Sequence, residues 1–210
     1  MKTVIISSGE IKDYDFCREI LSTADYVICA DGGTRHAYNM NITPDIIMGD
    51  MDSSDVSYIK YYEEKGVSLK KYSPDKDKTD TQLCLEYALE FSSEVVLLGA
   101  TGSRIDHMLA NISLLMLGLE KNIKVSMADD KNRIYLIKDS IMLSGAKGDY
   151  FSLIPFTGNV EGVCTEGAHY ELHDALMEQG SSYGVSNYFE GDTVKVSIKK
   201  GYMLVIKSED

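Results

Sequence analysis

Carboxylates follow two apolar runs in the first quarter of the sequence. The run VICA is followed by Asp31, and the run IIMG is followed by Asp50, with Asp52 two residues further on. In an open α/β sheet, side chains at the carboxyl ends of the strands face the crevice in which ligands bind. Carboxylates suit Mg²⁺, which proteins usually hold with one or two of them and the phosphates of a substrate. The pattern predicts metal-assisted nucleotide chemistry where these two strand ends meet.

The Asp-x-Asp triplet is a weak signal by itself. It occurs three times in this sequence, at Asp13/Asp15, Asp50/Asp52 and Asp75/Asp77. A short motif carries this risk of chance matches. The position of Asp50/Asp52 after Gly49, at the end of a strand that reads as buried, distinguishes it from the other two. From position alone, metal ligation and a solvated turn both remain open.

A second acidic segment, DKDKTD, runs from residue 75 to residue 80 and leads into a predicted helix. Thr79 or Asp80 stands where an N-cap belongs, and a plain cap is one interpretation. The other is a mixed-charge turn that holds a cation and a phosphate side by side, with Lys76 and Lys78 as the phosphate-facing candidates.

The segment GATGSRIDHMLAN, residues 99–111, follows another apolar run. Gly99 and Gly102 allow the backbone to approach a ligand closely, and the helix that follows presents free N–H groups to an anion. Arg104 adds a planar fork for phosphate oxygens. The segment is not a Walker A loop, and glycine-rich turns after strands are ordinary. Of Asp106 and Asn111, which are five residues apart, one is expected to be structural.

The elements that must position these residues alternate between strand and helix up to residue 130. Strands that are apolar throughout and alternate with helices indicate a mostly parallel sheet flanked by helices. After residue 130 only short runs with turn signals follow, which predicts an antiparallel β-sandwich. The fold class is therefore α/β plus all-β, with domains 1–130 and 131–210. The strands expected in the second domain are RIYLI, YFSLI, VEGVCTEG, HYELH, TVKVSI and YMLVIK.

Composition limits the partners. The chain of 210 residues has 21 Lys and Arg against 33 Asp and Glu, a net charge of -12. This charge opposes binding to nucleic acid and to anionic membranes. The sequence contains no run of 18 apolar residues, so no membrane span is predicted. The four cysteines are scattered without disulfide or zinc spacing, and the N-terminus does not read as a signal peptide, so the cytoplasm is the expected compartment.

Five segments in this order resemble the thiamine pyrophosphokinase family. They are ADGG (30–33), PDIIMGDMDS (44–53), DKDKTD (75–80), GATGSRIDHMLANI (99–112) and GSSYGVSN (180–187). The resemblance covers nearly the whole chain. It implies transfer of a pyrophosphoryl group from ATP to the hydroxyethyl oxygen of thiamine, with Mg²⁺, to give thiamine diphosphate and AMP. It also implies that residues 1–130 bind ATP and Mg²⁺ and carry catalysis, whereas residues 131–210 bind thiamine and form a homodimer.

The resemblance also implies roles for individual residues. Asp50, Asp52 and Asp80 match the acidic metal and nucleotide positions of the family, and Arg104 and Asp106 match its R-x-D pair. The remaining expected binding residues are Asp31, Lys76, Lys78, Thr79 and Gly102 for the nucleotide, and Ser182, Ser186 and Asn187 for thiamine. Ser103 departs from the family, in which many members have a second glycine at this position.

Two other classes of function remain to be weighed. A sensor would bind thiamine or a nucleotide without turnover, although the complete acidic set speaks against it. A metal-dependent phosphohydrolase with another substrate is compatible with the first domain alone.

Overall fold

The computed structural model describes residues 1–52, 55–73, 77–102 and 104–209. The chain folds into two compact units, Met1–Asp130 and Lys131–Asp210. The described part of the first unit contains six strands: β1 (Lys2–Ile6), β2 (Tyr26–Ala30), β3 (Ile46–Gly49), β4 (Ser68–Lys71), β5 (Glu94–Leu98) and β6 (Lys124–Ala128). Its helices are α1 (Tyr14–Leu21), α2 (Thr34–Asn39), α3 (Val56–Glu64), α4 (Asp80–Ala88) and α5 (Ile105–Lys121).

The strands of the first unit form a parallel sheet in the order β6-β5-β1-β2-β3-β4. The chain builds outward from β1 through β2, β3 and β4, then returns to the other side of β1 with β5. The order of the strands therefore reverses between β1 and β5. Open α/β sheets bind ligands at such a switch point, outside the carboxyl ends of the strands.

Local signals fix the helix ends around this edge. The Asp13 carboxylate accepts hydrogen bonds from the N–H groups of Asp15 and Phe16 and caps α1. Thr79 caps α4 by accepting from the N–H of Gln82 at 3.2 Å. Side-chain caps satisfy N–H groups that the first turn of a helix leaves free, and each stabilises by about 1 kcal/mol. The capping interpretation of Thr79 is thus correct, and Asp80 is the first residue of the helix.

The second unit is all-β. Its strands are β7 (Asn132–Ile137), β8 (Ser140–Ser144), β9 (Tyr150–Pro155), β10 (Val160–Glu166), β11 (Ala175–Met177), β12 (Asn187–Tyr188), β13 (Thr193–Ser197) and β14 (Met203–Ser208). They form two antiparallel sheets, β12-β9-β14-β7 and β11-β10-β13-β8. Val194 and Val196 of one sheet belong to the same buried cluster as Phe151, Leu153 and Val205 of the other. The predicted fold class, a parallel α/β sheet followed by a β-sandwich, is confirmed.

One predicted strand is wrong. The segment HYELH, residues 169–173, contains no strand, and only Ala168 before it forms an isolated bridge, with Phe189. The N–H and carbonyl of Tyr170 bind the side-chain amide of Asn187 at 3.0 and 2.8 Å. Thr165 closes the turn, because its N–H donates to the carbonyl of Leu172. A side chain here takes the hydrogen bonds that a neighbouring strand would otherwise form.

Among the described residues, no helix has the length and apolar character needed to cross a membrane.

Candidate active site

Three carboxylates meet at the ends of β2 and β3. Asp31, Asp50 and Asp52 each place an oxygen within 4.8 Å of the others. Asp31 lies in a 3₁₀ turn and is only 2% exposed, whereas Asp50 is half-buried and Asp52 is exposed. Asp31 and Met51 have left-handed backbone, with φ of 33° and 65°. Such residues cost about 1–3 kcal/mol each and are typical of functional sites.

Asp80 reaches the same place from α4. A Cβ added to Gly49 would lie 2.6 Å from the Cβ of Asp31 and 3.1 Å from Oδ1 of Asp80. Gly49 therefore lies between these two carboxylates, and its lack of a side chain permits their approach. We call Asp31, Asp50, Asp52 and Asp80, which come from three segments of the chain, the acidic group. Oxygens of the first three lie within 4.8 Å of one another, whereas Asp80 lies beside them at Gly49. Hard oxygen ligands at this density suit a divalent cation such as Mg²⁺.

A cavity of about 620 Å³ opens at the switch point between β1 and β5. Its walls are the turn after β1, the turn after β5 and the first turns of α2, α4 and α5. Thr81 connects the cavity to the acidic group, because it follows Asp80 directly and its hydroxyl donates to Ser7 Oγ at 3.0 Å. The lining residues are Ser7, Ser8, Gly9, Glu10, Ile11, Arg35, His36, Thr81, Gly99, Ala100, Thr101, Gly102, Arg104, His107, Met108 and Asn111.

Two of the predicted phosphate-side residues, Gly102 and Arg104, line this cavity. Arg104 binds the Asp106 carboxylate with two hydrogen bonds, from Nε at 3.2 Å and from Nη2 at 2.6 Å. Hydrogen bonding from Arg104 lowers the pKa of Asp106 to about 2, and the same contact raises the pKa of the guanidinium. Both groups therefore stay charged at neutral pH, and the carboxylate fixes the orientation of the arginine fork.

Of the two lysines in the DKDKTD segment, Lys78 lies within the described residues. Lys78 Nζ lies 2.8 Å from Glu86 on α4, and this contact lowers the pKa of the glutamate. Thr79 uses its side chain as the cap of α4. Lys76 lies outside the described residues, as does Ser103 of the glycine-rich turn.

Several cavity residues are absent from the sequence-based prediction. The turn Ser7–Gly9 follows an apolar strand and consists of small residues, a signal that could have found it. Arg35 and His36 sit in a six-residue helix without a recognisable motif. Asn111 is buried, and its Nδ2 donates to the carbonyl of Ala100 at 2.8 Å, so Asn111 ties α5 to the turn after β5.

The predicted thiamine residues occupy a turn of the second unit. Ser182 and Ser186 are exposed, and Ser186 has left-handed backbone with φ of 61°. Asn187 is buried and its side-chain amide binds the backbone of Tyr170 and the N–H of Tyr188. The side chain of Asn187 thus connects two segments of this unit. Tyr183 and Val185, in the same turn, are about half or more exposed, at 65% and 49%.

The fold and the site define a class: a two-unit protein whose parallel α/β sheet carries a ligand cavity at its switch point and an acidic group beside it. Two family models match the chain. The thiamin pyrophosphokinase catalytic domain matches residues 17–127, and the thiamin pyrophosphokinase vitamin B1 binding domain matches residues 135–203. The chain therefore belongs to the thiamine pyrophosphokinase family.

Individual proteins agree with the family models. The thiamine pyrophosphokinase of Bacillus subtilis (strain 168) is 31% identical over 186 residues, which cover 87% of each chain. Thiamine pyrophosphokinase 1 of Oryza sativa subsp. japonica is 27% identical over 197 residues, covering 81% of this chain and 74% of its own. The crystal structure of a thiamine pyrophosphokinase from Bacillus subtilis superposes with a TM-score of 0.89 at 27% identity and covers 100% of both chains.

Proposed function

We propose that this protein transfers the pyrophosphoryl group of ATP to the hydroxyethyl oxygen of thiamine, giving thiamine diphosphate and AMP. The observation that carries the proposal is the acidic group beside a cavity at the switch point of the sheet, in a chain that both domains of the family match. The cavity of about 620 Å³ falls within the range of small-molecule and cofactor sites.

The acidic group is the proposed Mg²⁺ site, with Asp50, Asp52 and Asp80 as ligands and Asp31 beside them. The spacing of the oxygens and the absence of a side chain at Gly49 support it. When bound, Mg²⁺ neutralises negative charge on the phosphate oxygens. The carboxylates would hold the metal ion, and the exposed Asp52 would lie on the solvent side of the site.

The cavity is the proposed ATP site. Arg104 lines the cavity and binds Asp106 through Nε and Nη2, so the remaining N–H groups of its guanidinium are the proposed contacts for phosphate oxygens. The glycine-rich turn at Gly99 and Gly102 lets backbone approach the same ligand. Lys78 and Thr79 precede α4, and Thr79 acts through its cap, which fixes the start of the helix that carries Asp80.

The reaction requires alignment more than covalent help from the protein. The hydroxyl oxygen of thiamine attacks the β-phosphorus, the bond from that phosphorus to the bridging oxygen of the α-phosphate breaks, and AMP leaves with the electron pair. The proton of the hydroxyl passes to a carboxylate of the acidic group or to water. Positioning of the two reactants and stabilisation of charge on the phosphate oxygens supply the acceleration.

Thiamine is proposed to bind the second unit, with Ser182 and Ser186 as polar contacts and Asn187 holding the turn in place. We also propose a homodimer, since pockets shared across a two-fold axis are a common arrangement. The exposed apolar side chains of this unit, such as Tyr170, Leu176 and Tyr183, support it. None of the four cysteines, all of which lie in the described part of the chain, forms a disulfide, which fits the reducing cytoplasm as the proposed compartment.

The test is an incubation of the purified protein with ATP, Mg²⁺ and thiamine in which all nucleotide and thiamine products are resolved. The proposal expects AMP and thiamine diphosphate in equal amounts, formed only when thiamine is present. Release of phosphate from ATP without thiamine would favour the phosphohydrolase, and thiamine binding without turnover would favour the sensor. A monomeric mass in solution together with full activity would contradict the homodimer.

A further inference from the structure

A directed chain of hydrogen bonds runs from α2 through α1 to the wall of the cavity. Asn39 Nδ2 lies 3.1 Å from the hydroxyl of Tyr14, which lies 2.9 Å from His36 Nδ1. His36 Nε2 lies 2.7 Å from the carbonyl oxygen of Gly9. An amide nitrogen only donates and a carbonyl oxygen only accepts. The 2.7 Å contact with a carbonyl oxygen requires the proton of His36 on Nε2, and Nδ1 then accepts from Tyr14. Arg35 Nε, 3.3 Å from Nε2, then faces another donor, so it forms no hydrogen bond with the ring.

Arg35 binds the same turn from the neighbouring position of α2. Its Nη2 donates to the carbonyl of Ser8 at 2.5 Å. Two consecutive side chains of α2 thus hold two consecutive carbonyls, those of Ser8 and Gly9. His36 is 4% exposed, and both side chains line the cavity.

The opposite side of the turn is fixed by the segment after β5. The N–H of Gly9 donates to the carbonyl of Gly99 at 2.8 Å. A Cβ on Gly9 would lie 2.2 Å from the carbonyl oxygen of Thr101, so the two backbones are in direct contact. The turn Ser7–Glu10 is therefore held by contacts with α2 on one side and with the glycine-rich turn on the other. Because this turn lines the cavity, its position affects the width of the cavity.

We propose that His36, oriented by Tyr14, and Arg35 are positioning residues that hold the turn Ser7–Glu10 in the shape that binds the nucleotide. This inference rests on the proposed function, because it assigns the cavity to ATP. The two residues act on nucleotide affinity through the turn. Removal of their hydrogen bonds is expected to raise the KM for ATP, while the KM for thiamine and the kcat change little.

The test compares His36→Phe, which keeps a ring and loses both hydrogen bonds, with His36→Gln, whose amide can again donate to the carbonyl of Gly9. The loss of a buried hydrogen bond corresponds to about a tenfold rise of the KM for ATP in His36→Phe. His36→Gln is expected to regain most of this loss. A role in packing alone would not favour Gln over Phe.

Tyr14→Phe is a milder second variant, since it removes only the hydroxyl that orients His36. A rise of a few fold in the KM for ATP is expected. Tyr38→Phe is its matched control, because Tyr38 is a partly exposed tyrosine of α2 that contacts Tyr58 and Tyr61. It is expected to leave the KM for ATP unchanged.

Equilibrium binding of α,β-methylene-ATP separates this inference from the proposed function, because it measures the cavity without turnover. Weaker binding in His36→Phe and Tyr14→Phe, with recovery in His36→Gln, supports the inference. Binding equal to that of the wild type in both variants overturns it, as does an equal effect on thiamine affinity. A wild-type protein that binds the analogue but forms no AMP overturns the proposed function alone.

Discussion

Replacement of Gly49 by alanine tests whether activity depends on the close spacing of the carboxylates in the acidic group. The new Cβ would lie 2.6 Å from the Cβ of Asp31, whereas ordinary contact begins at 3.4 Å, so the atoms must separate by about 0.8 Å. Oδ1 of Asp80 lies 3.1 Å from the same point, so the neighbouring carboxylate is displaced as well. A misplacement of about 1 Å at a reacting site can cost about 100-fold in rate.

We therefore expect Gly49→Ala to lower kcat/KM by about 100-fold and to raise the Mg²⁺ concentration needed for half-maximal activity. Overpacking of this buried position should also reduce the free energy of unfolding by about 1–3 kcal/mol. The assay is thiamine diphosphate formation across a titration of Mg²⁺, together with urea unfolding of the same preparation.

Gly66→Ala is the matched control. Both glycines have positive φ, +156° at Gly49 and +78° at Gly66, but no atom lies within 4 Å of a Cβ added to Gly66. The control is expected to lose about 1–2 kcal/mol of stability through backbone strain, with activity unchanged. Wild-type activity and Mg²⁺ dependence in Gly49→Ala would refute the claim that the four carboxylates must be this close.

Three further outcomes follow from the structure. Asp52→Asn is expected to abolish turnover while the free energy of unfolding changes by no more than about 0.5 kcal/mol, because Asp52 is exposed. The control Asp15→Asn, in the surface triplet Asp13/Asp15, should leave activity intact. Near-normal turnover of Asp52→Asn would show that Asp52 is not a metal ligand. Asn187→Ala should lower the free energy of unfolding by about 1–3 kcal/mol even without thiamine, because it removes a buried side-chain amide together with its two hydrogen bonds to the backbone of Tyr170. A loss of thiamine affinity at unchanged stability would contradict this. Burial lowers the pKa of His36 below 6.5, and the charge of Arg35 adds to the effect. The unfolded chain therefore binds a proton more readily than the folded one, so the free energy of unfolding should fall as the pH drops below 6.5. His36→Gln should reduce this pH dependence in urea unfolding, and an unchanged dependence would refute the argument.

The order of elements in the first unit is readable from the sequence because its strands, apart from the exposed edge strand β4, are buried on both faces. Runs such as VICA and IIMG are apolar throughout, and they lie in the observed strands β2 and β3. The second unit is harder to predict, since β12 has only two residues and shows no period. The HYELH error has the same origin, because alternation along that segment does not reveal that the Asn187 side chain takes up the hydrogen bonds of Tyr170.

The site divides in a similar way. The carboxylates of the acidic group follow strands or begin a helix, so their positions along the chain predict that they lie at the same edge of the sheet. Arg35 and His36 contact carbonyl groups that lie 27 residues earlier in the chain, and no local pattern encodes such contacts. Side chains that position a turn from another element are therefore found only once the fold is known.

The most direct measurement follows the two transferred phosphorus atoms. The protein is incubated with thiamine, Mg²⁺ and ATP labelled separately at the β- or γ-phosphorus. Both labels should enter thiamine diphosphate in equal amounts, and AMP should carry neither. Transfer of the γ-label alone, with the β-label retained in ADP, would contradict attack at the β-phosphorus and with it the central claim.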